Sequence, residues 1–370
     1  MSTTKGLEGI VAAASKVSSI IDGQLTYGGY TIDDLADHAT FEEVVFLLWN
    51  DRLPKADELA ELSDALVKEA QLPEDVLATL ERAPKSANAM ATIRTALSQL
   101  ALYDEESEDM SREANMHKAV RLQAQIATIV TAFARLRKGE QPVAPKPGLS
   151  YAANFLYMLN GEEPSKVAEK TIDKALILHA DHELNASTFT ARVCVATLSD
   201  IYSGVTAAMG ALKGPLHGGA NEAVMKMLHE IGSVDKVEDY VRGKFERREK
   251  IMGFGHRVYK DGDPRAKHLK EMSRQLTAQI GEPQWYEMSE KIDELVEAEK
   301  GLKPNVDFYS ASTYYALGLD EELFTPIFAV SRMSGWIAHI LEQYADNRLI
   351  RPRAEYVGET NRSYVPVNER

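Results

Sequence analysis

Apolar residues recur at three- and four-residue steps through most of this chain, the spacing that turns one face of an α-helix toward a core. Leu59, Leu62, Leu66 and Ala70 mark one such stripe. Ile126, Ile129, Phe133 and Leu136 mark another, ahead of a stop at Gly139. The same period predicts helices over about 41–50, 86–106, 150–160, 165–186, 187–213, 220–231, 234–249, 264–280, 284–300, 308–318 and 321–346. Strand-like alternation is scarce. Its best instance is SSIIDGQLTYGGY, 18–30, where Asp22-Gly23 suits the tip of a small hairpin. GEQPVAPKPG, 139–148, carries three prolines and reads as a loop. Helix after helix without alternating strands predicts a mainly α fold with a minor N-terminal β-hairpin.

Two breaks divide the helical pattern: KGPLHGG, 213–219, and LKPNVDF, 302–308. With 370 residues the chain exceeds one small core. The expectation is a large helical domain formed by 1–213 and 314–370, the latter ending in an arm, with a smaller helical domain, 214–313, inserted between them. Chemistry at both breaks would then face a domain cleft, a common place for ligand sites.

Charge narrows the partners. The chain has 56 Asp and Glu against 42 Lys and Arg, a formal net charge of −14. That argues against broad nucleic-acid or anionic-membrane binding, so any anion site must be local. A single cysteine, Cys194, excludes an internal disulfide and a cysteine zinc site, and fits the cytoplasm. Residues 1–20 show no basic stretch followed by a long apolar run, so no signal peptide is expected. The apolar stretch 323–341 contains Pro326, Arg332, Gly335 and His339 and is not read as a membrane span.

Six of nine histidines fall between 179 and 268. His229 and His268 lie among charges and read as surface positions. His217, in GPLHGGANE, follows a helix-breaking Gly-Pro and precedes a helix start, whose partial positive charge disfavours a protonated ring. It reads equally as a turn histidine or as a neutral donor to a developing oxyanion. His179 and His182 are three apart on the face of Ile172, Ala175 and Leu176. A satisfied core histidine, a metal ligand with Glu183, and a donor to a substrate carboxylate are the three readings of His182. In IMGFGHRVYKDGDPRAK, 251–267, Asp263 fits an N-cap and Pro264 a first helical residue. That places Arg265 in a first turn, where a cation is mildly unfavourable. Either an anion at the helix start or pairing with Asp261 or Asp263 accounts for it. Arg332 is the lone formal charge between Glu322 and Glu342, so its partner comes from another segment or from a ligand. Asp307, in KPNVDFYSAS, reads first as an N-cap.

Taken in order and spacing, GPLHGGANE, MGFGHRVYKDGDPRAK, PNVDFYSAS, AVSRMSGW and RLIRPRAEY resemble citrate synthase. The resemblance runs from LEGIVAAASKVSSIIDG to the arginine arm, and is greatest to the short dimeric form of many Gram-positive bacteria and archaea. It implies a mainly α two-domain fold and a tricarboxylic acid cycle activity, condensation of acetyl-CoA with oxaloacetate followed by hydrolysis of citryl-CoA. It assigns His217 to the thioester oxygen, Asp307 to the acetyl methyl proton and His256 to the oxaloacetate carbonyl. It assigns His182, Arg265, Arg332 and Arg351 to the oxaloacetate carboxylates, Arg351 coming from the partner subunit of a homodimer. Ile251, Met252, Gly253, Phe254 and Gly255 match the segment that recognises CoA, and Lys260 a basic position near its phosphate. It implies no cofactor and no metal. Within the family, 2-methylcitrate synthase, which takes propionyl-CoA, shares these motifs. Two other classes compete: a helical metal-dependent hydrolase built on HADHE and His217, and a noncatalytic anion-binding scaffold.

Overall fold

The computed structural model describes residues 5–7, 9–256, 258–259 and 261–370. Strands β1 (Ser18–Ile21), β2 (Gln24–Tyr27) and β3 (Tyr30–Thr31) form an antiparallel sheet in sequence order, with Ser18 opposite Tyr27 and Ile21 opposite Gln24. Asp22 and Gly23 both take positive φ, 51° and 77°, as a tight two-residue hairpin turn demands. The two-residue β3 adds to the expected hairpin.

Sixteen α-helices follow among the described residues. The first eight are α1 (Ile32–His38), α2 (Phe41–Asn50), α3 (Ala56–Lys68), α4 (Glu74–Arg82), α5 (Ala89–Gln99), α6 (Arg112–Lys138), α7 (Tyr151–Asn160) and α8 (Lys166–His179). The rest are α9 (Ala186–Val195), α10 (Ile201–Leu212), α11 (Ala220–Ile231), α12 (Val237–Glu246), α13 (Ala266–Gln279), α14 (Gln284–Lys300), α15 (Val306–Ala316) and α16 (Phe324–Ala345). The mainly α expectation agrees with this.

The differences lie at ends and breaks. The helix expected over 165–186 stops at His179, because Glu183 takes a left-handed φ of 48° and Asn185 caps α9. The single helix expected over 187–213 is two. Leu198 turns the chain at φ 67°, and Asp200 caps α10 by accepting from Ser203 N. The 86–106 stretch shortens to α5 plus a 3-10 turn, Leu100–Tyr103. Helices α1 and α4 show no long apolar stripe. The first has seven residues, too few for a periodic signal.

Helix α16 is buried on every side from Phe324 to Ile340 and packs against α2, α6, α8, α9 and α10, which is why its sequence is apolar all round. No helix among the described residues is long and apolar enough to cross a membrane. Gly335 lets α16 press on the turn after α8: a Cβ there would collide with the Ala180 carbonyl oxygen. A second packed group joins α11, α13 and α14 around α15. The turn 213–219 enters that group, and the segment after α15 leaves it for α16. The chain beyond α16 runs as an exposed arm.

Candidate active site

A cleft of about 360 Å³ opens where the two helical groups meet. His182, His217, Ile251 to Gly255, His256, Arg265, Asp307 and Arg332 all line it. Arg351 does not; it lies exposed on the C-terminal arm. Lys260 falls outside the described residues.

His217 sits in the tight turn after α10, with its N–H on the Gly214 carbonyl at 2.9 Å and the Gly218 N–H on the Leu212 carbonyl at 3.0 Å. A Cβ at Gly218 would meet that Leu212 oxygen at 2.6 Å, so the turn requires glycine. His217 Nε2 accepts from the Ser187 N–H at 3.4 Å and lies 2.8 Å from the Ser187 hydroxyl, whose oxygen in turn accepts from Trp336 Nε1 at 3.0 Å, so the ring proton sits on Nδ1. This ties down one ring nitrogen and leaves Nδ1 for the cleft. Burial, then the charge of Arg332, pushes the ring down to about 4, so it is neutral at pH 7.

His256 Nδ1 accepts from the N–H groups of Val258, at 3.1 Å, and Tyr259, at 3.4 Å. Those two donors place the ring proton on Nε2. Burial first and Arg265 second push this ring to about 4 as well. His182 lies edge-on to His256 at 5.0 Å and shares a 2.9 Å hydrogen bond between Nε2 and the Tyr259 hydroxyl. It is held well below the usual histidine range by burial and then Arg265. It stands in the turn after α8, not on a helical face with His179; the three-residue spacing misled because α8 ends between them.

Arg265 does not sit inside a first turn. It precedes α13, and Asp263 accepts from its backbone N–H without capping the helix. The side chains pair twice, Nε to Oδ1 at 2.9 Å and Nη2 to Oδ2 at 2.7 Å, both buried. Burial alone would raise Asp263; the Arg265 charge and hydrogen bonds reverse this and hold it below its ordinary value. Arg332 is 1% exposed. Its Nε donates to the His179 carbonyl at 2.7 Å, and its guanidinium lies 4.7 Å from the Phe328 ring centre. Burial pushes it down to about 10, with Asp181 the largest opposing charge, so it remains a cation.

Asp307 is not the cap of α15. Asn305 caps by accepting from Asp307 N at 3.0 Å, which frees the Asp307 carboxylate. Its Oδ1 is buried without a protein partner. Burial raises it to about 7; Arg265 opposes that, Asp263 adds to it and Arg332 opposes it again. The cleft thus combines a carboxyl group close to half-ionised at neutral pH, three neutral imidazoles and two buried guanidiniums. Such a set can remove a weakly acidic proton, donate to two oxygens and hold an anion.

Sequence reasoning missed Ser187, Tyr259, Asn305 and Lys250. The first three act through tertiary contacts that no spacing reveals, and Lys250, which lines the cleft, hides at the end of the charge run KFERREK. The ligand set of the hydrolase reading does not converge. His179 Nδ1 is spent on Ala175 O, His182 faces Tyr259, and Glu183 accepts from Ile20 N. The described residues hold no group of three or more His, Cys, Asp or Glu placed for a metal ion.

Fold and cleft define a mainly α protein whose interdomain-type cleft pairs an acid–base set with an anion site. Residues 6–353 match the family model described as citrate synthase, C-terminal domain. Citrate synthase 2 of Bacillus subtilis is 62% identical over the whole of both chains, and citrate synthase of Haloferax volcanii 52% over 99% of this chain and 98% of its own. Among solved structures, the ternary complex of Thermoplasma acidophilum citrate synthase with carboxymethyl coenzyme A and oxaloacetate aligns over 100% of both chains, with TM-score 0.95 and 36% identity. A 2-methylcitrate synthase of Mycobacterium tuberculosis is more distant, 43% identical over 97% of this chain and 91% of its own. The chain belongs to the citrate synthase family. Its activity is that of the family, the transferase reaction that condenses acetyl-CoA with oxaloacetate.

Proposed function

We propose that the residues of the cleft divide this condensation among them as follows. His217 donates from Nδ1 to the thioester oxygen of acetyl-CoA while Asp307 takes a proton from the acetyl methyl group. A free carboxylate is far too weak a base for that proton; a positioned neutral donor lowers the barrier by stabilising the enolate oxygen as its charge develops. The enolate carbon attacks the carbonyl carbon of oxaloacetate, whose oxygen gains its proton from His256 Nε2. Water then hydrolyses the citryl thioester, releasing citrate and the CoA thiol.

Arg265, Arg332 and His182 hold the two oxaloacetate carboxylates. Charge-assisted bonds of this kind are about twice as strong as neutral ones. Arg351 completes the site from the partner subunit of a homodimer; its exposure on an arm that does not line its own cleft supports this. Ile251 to Gly255 and Lys260 receive CoA, which enters as a substrate, and the chemistry needs no added cofactor. The large domain spans 1–213 and 314–370 and the small domain 214–313, closing about Gly214 and residues 303–314. One cysteine and the lack of a membrane-crossing helix among the described residues support a cytoplasmic location.

The observation that carries the reading is the convergence of Asp307, His217, His256, Arg265 and Arg332 on one cleft from four separate segments. The test is thiol release on mixing acetyl-CoA with oxaloacetate, repeated with propionyl-CoA. One methylene is worth only about 1–3 kcal/mol of discrimination. The closer curated relatives favour acetyl-CoA as the better substrate by kcat/KM. No release would leave the anion-binding scaffold; a strong propionyl-CoA preference would make the chain a 2-methylcitrate synthase.

A further inference from the structure

His179 takes no part in the roles above. It ends α8 and is fully buried. Its Nδ1 lies 2.8 Å from the Ala175 carbonyl oxygen, which fixes the ring proton there. Nε2 is therefore a lone-pair acceptor, buried and without a protein partner. Burial, then the cations Arg265 and Arg332, hold the ring down to about 3, so it cannot satisfy this nitrogen by protonation at neutral pH. A buried acceptor in that position calls for a donor.

Two further groups bear on the same place. Tyr314 lies seven residues after Asp307 on α15, two turns along the same face, and a long helical side chain leans back toward the N-terminus. Its hydroxyl is thereby carried toward Asp307, whose charge adds to burial in raising the phenol. Its ring centre is 6.4 Å from that of His179. Asp307 Oδ1, at the start of that helix, is the second buried acceptor without a protein partner. Phe328 packs edge-on to His179 at 5.0 Å and under Arg332, adding an apolar wall.

We propose that His179 Nε2, the Tyr314 hydroxyl and Asp307 Oδ1 enclose one ordered water behind Asp307, and that His179 and Tyr314 are positioning residues for that carboxylate. The donors and acceptors balance. Tyr314 donates its O–H to the water oxygen, and the water gives one proton to Nε2 and the other to Oδ1, so each of the three groups gains a partner. No proton is transferred. The water fixes the carboxylate plane and leaves Oδ2 for the substrate. A donor to the ionised form also favours it against burial. Arg265 and Arg332 act in the same sense, Asp263 in the opposite one, and His217, His256 and His182 face the cleft neutral.

The inference rests on Asp307 as the base, so the test separates the two. In Tyr314→Phe the acid limb of kcat/KM for acetyl-CoA should move up by about one pH unit, the size of one lost charge-assisted bond. The KM for oxaloacetate should stay within about twofold, since no carboxylate ligand is touched. His179→Leu should shift the limb likewise, and His179→Gln, which keeps an acceptor, should recover part of it. Should Asp307→Asn be inactive while Tyr314→Phe keeps the wild-type limb, the water is refuted and the base stands. Should Asp307→Asn turn over normally, both fall. A high-resolution crystal structure needs no variant: a water within hydrogen-bond distance of all three groups supports the proposal, and a dry position refutes it.

Discussion

Arg332 donates from Nε to the backbone carbonyl of His179 at 2.7 Å, so the one cation in the buried helix α16 is anchored by a peptide group and not by a carboxylate. The anchor fixes the guanidinium and leaves its outer edge for an anion. It also joins α16 to the turn that carries His182, so two proposed oxaloacetate ligands move as one unit. Arg332→Leu is expected to weaken oxaloacetate binding by roughly 10- to 100-fold, the loss of a charge-assisted bond. Its melting temperature should stay near that of the wild type, because relief of a buried charge offsets the lost bond to the His179 carbonyl and the lost attraction to Asp181. Calorimetric titration and thermal melts check both parts.

The raised proton affinity of Asp307 has a consequence for stability with a definite sign. Burial lifts it from 3.8 to about 7, so the folded chain binds this proton more tightly than the unfolded one. The wild type therefore loses stability as pH climbs through that window. Asp307→Asn removes the effect. It should melt above the wild type at pH 8, and the gap should close below about pH 4. Thermal melts across that range test this; equal melting curves at pH 8 would show the carboxylate is not desolvated.

Arg351 on its exposed arm predicts a shared site. Arg351→Ala and His256→Ala should each be nearly inactive alone. Mixed in equal amounts with subunit exchange, they should recover roughly a quarter of wild-type activity, because half the dimers are mixed and each mixed dimer keeps one intact site. Recovery near zero after proven exchange would place Arg351 in its own chain's site.

Much of this was legible in the sequence, and the gaps have physical causes. The period of Ile126, Ile129, Phe133 and Leu136 marked α6 because a long helix repeats its buried face many times. Leu198 hid the break between α9 and α10, because an apolar residue in a left-handed turn looks like one more helical position. Arg332 stood out since a charge in an apolar run needs a partner, yet the His179 carbonyl could not be foreseen. Asp307 looked like a cap because Asn305, two residues earlier, takes that role only once the chain is folded against Gly253 and Gly255. Ser187 and Tyr259 fix the rings of His217 and His182 from 30 and 77 residues away, distances over which sequence carries no signal.

The central claim is that Asp307 is the base of a site whose oxaloacetate ligands are separate from it. The most direct measurement pairs steady-state turnover with oxaloacetate titration in Asp307→Asn. Turnover should fall by about 10²–10⁴, the usual worth of a general base, with oxaloacetate affinity within about threefold of wild type. Turnover close to that of the wild type, or loss of oxaloacetate binding in step with turnover, would contradict the account.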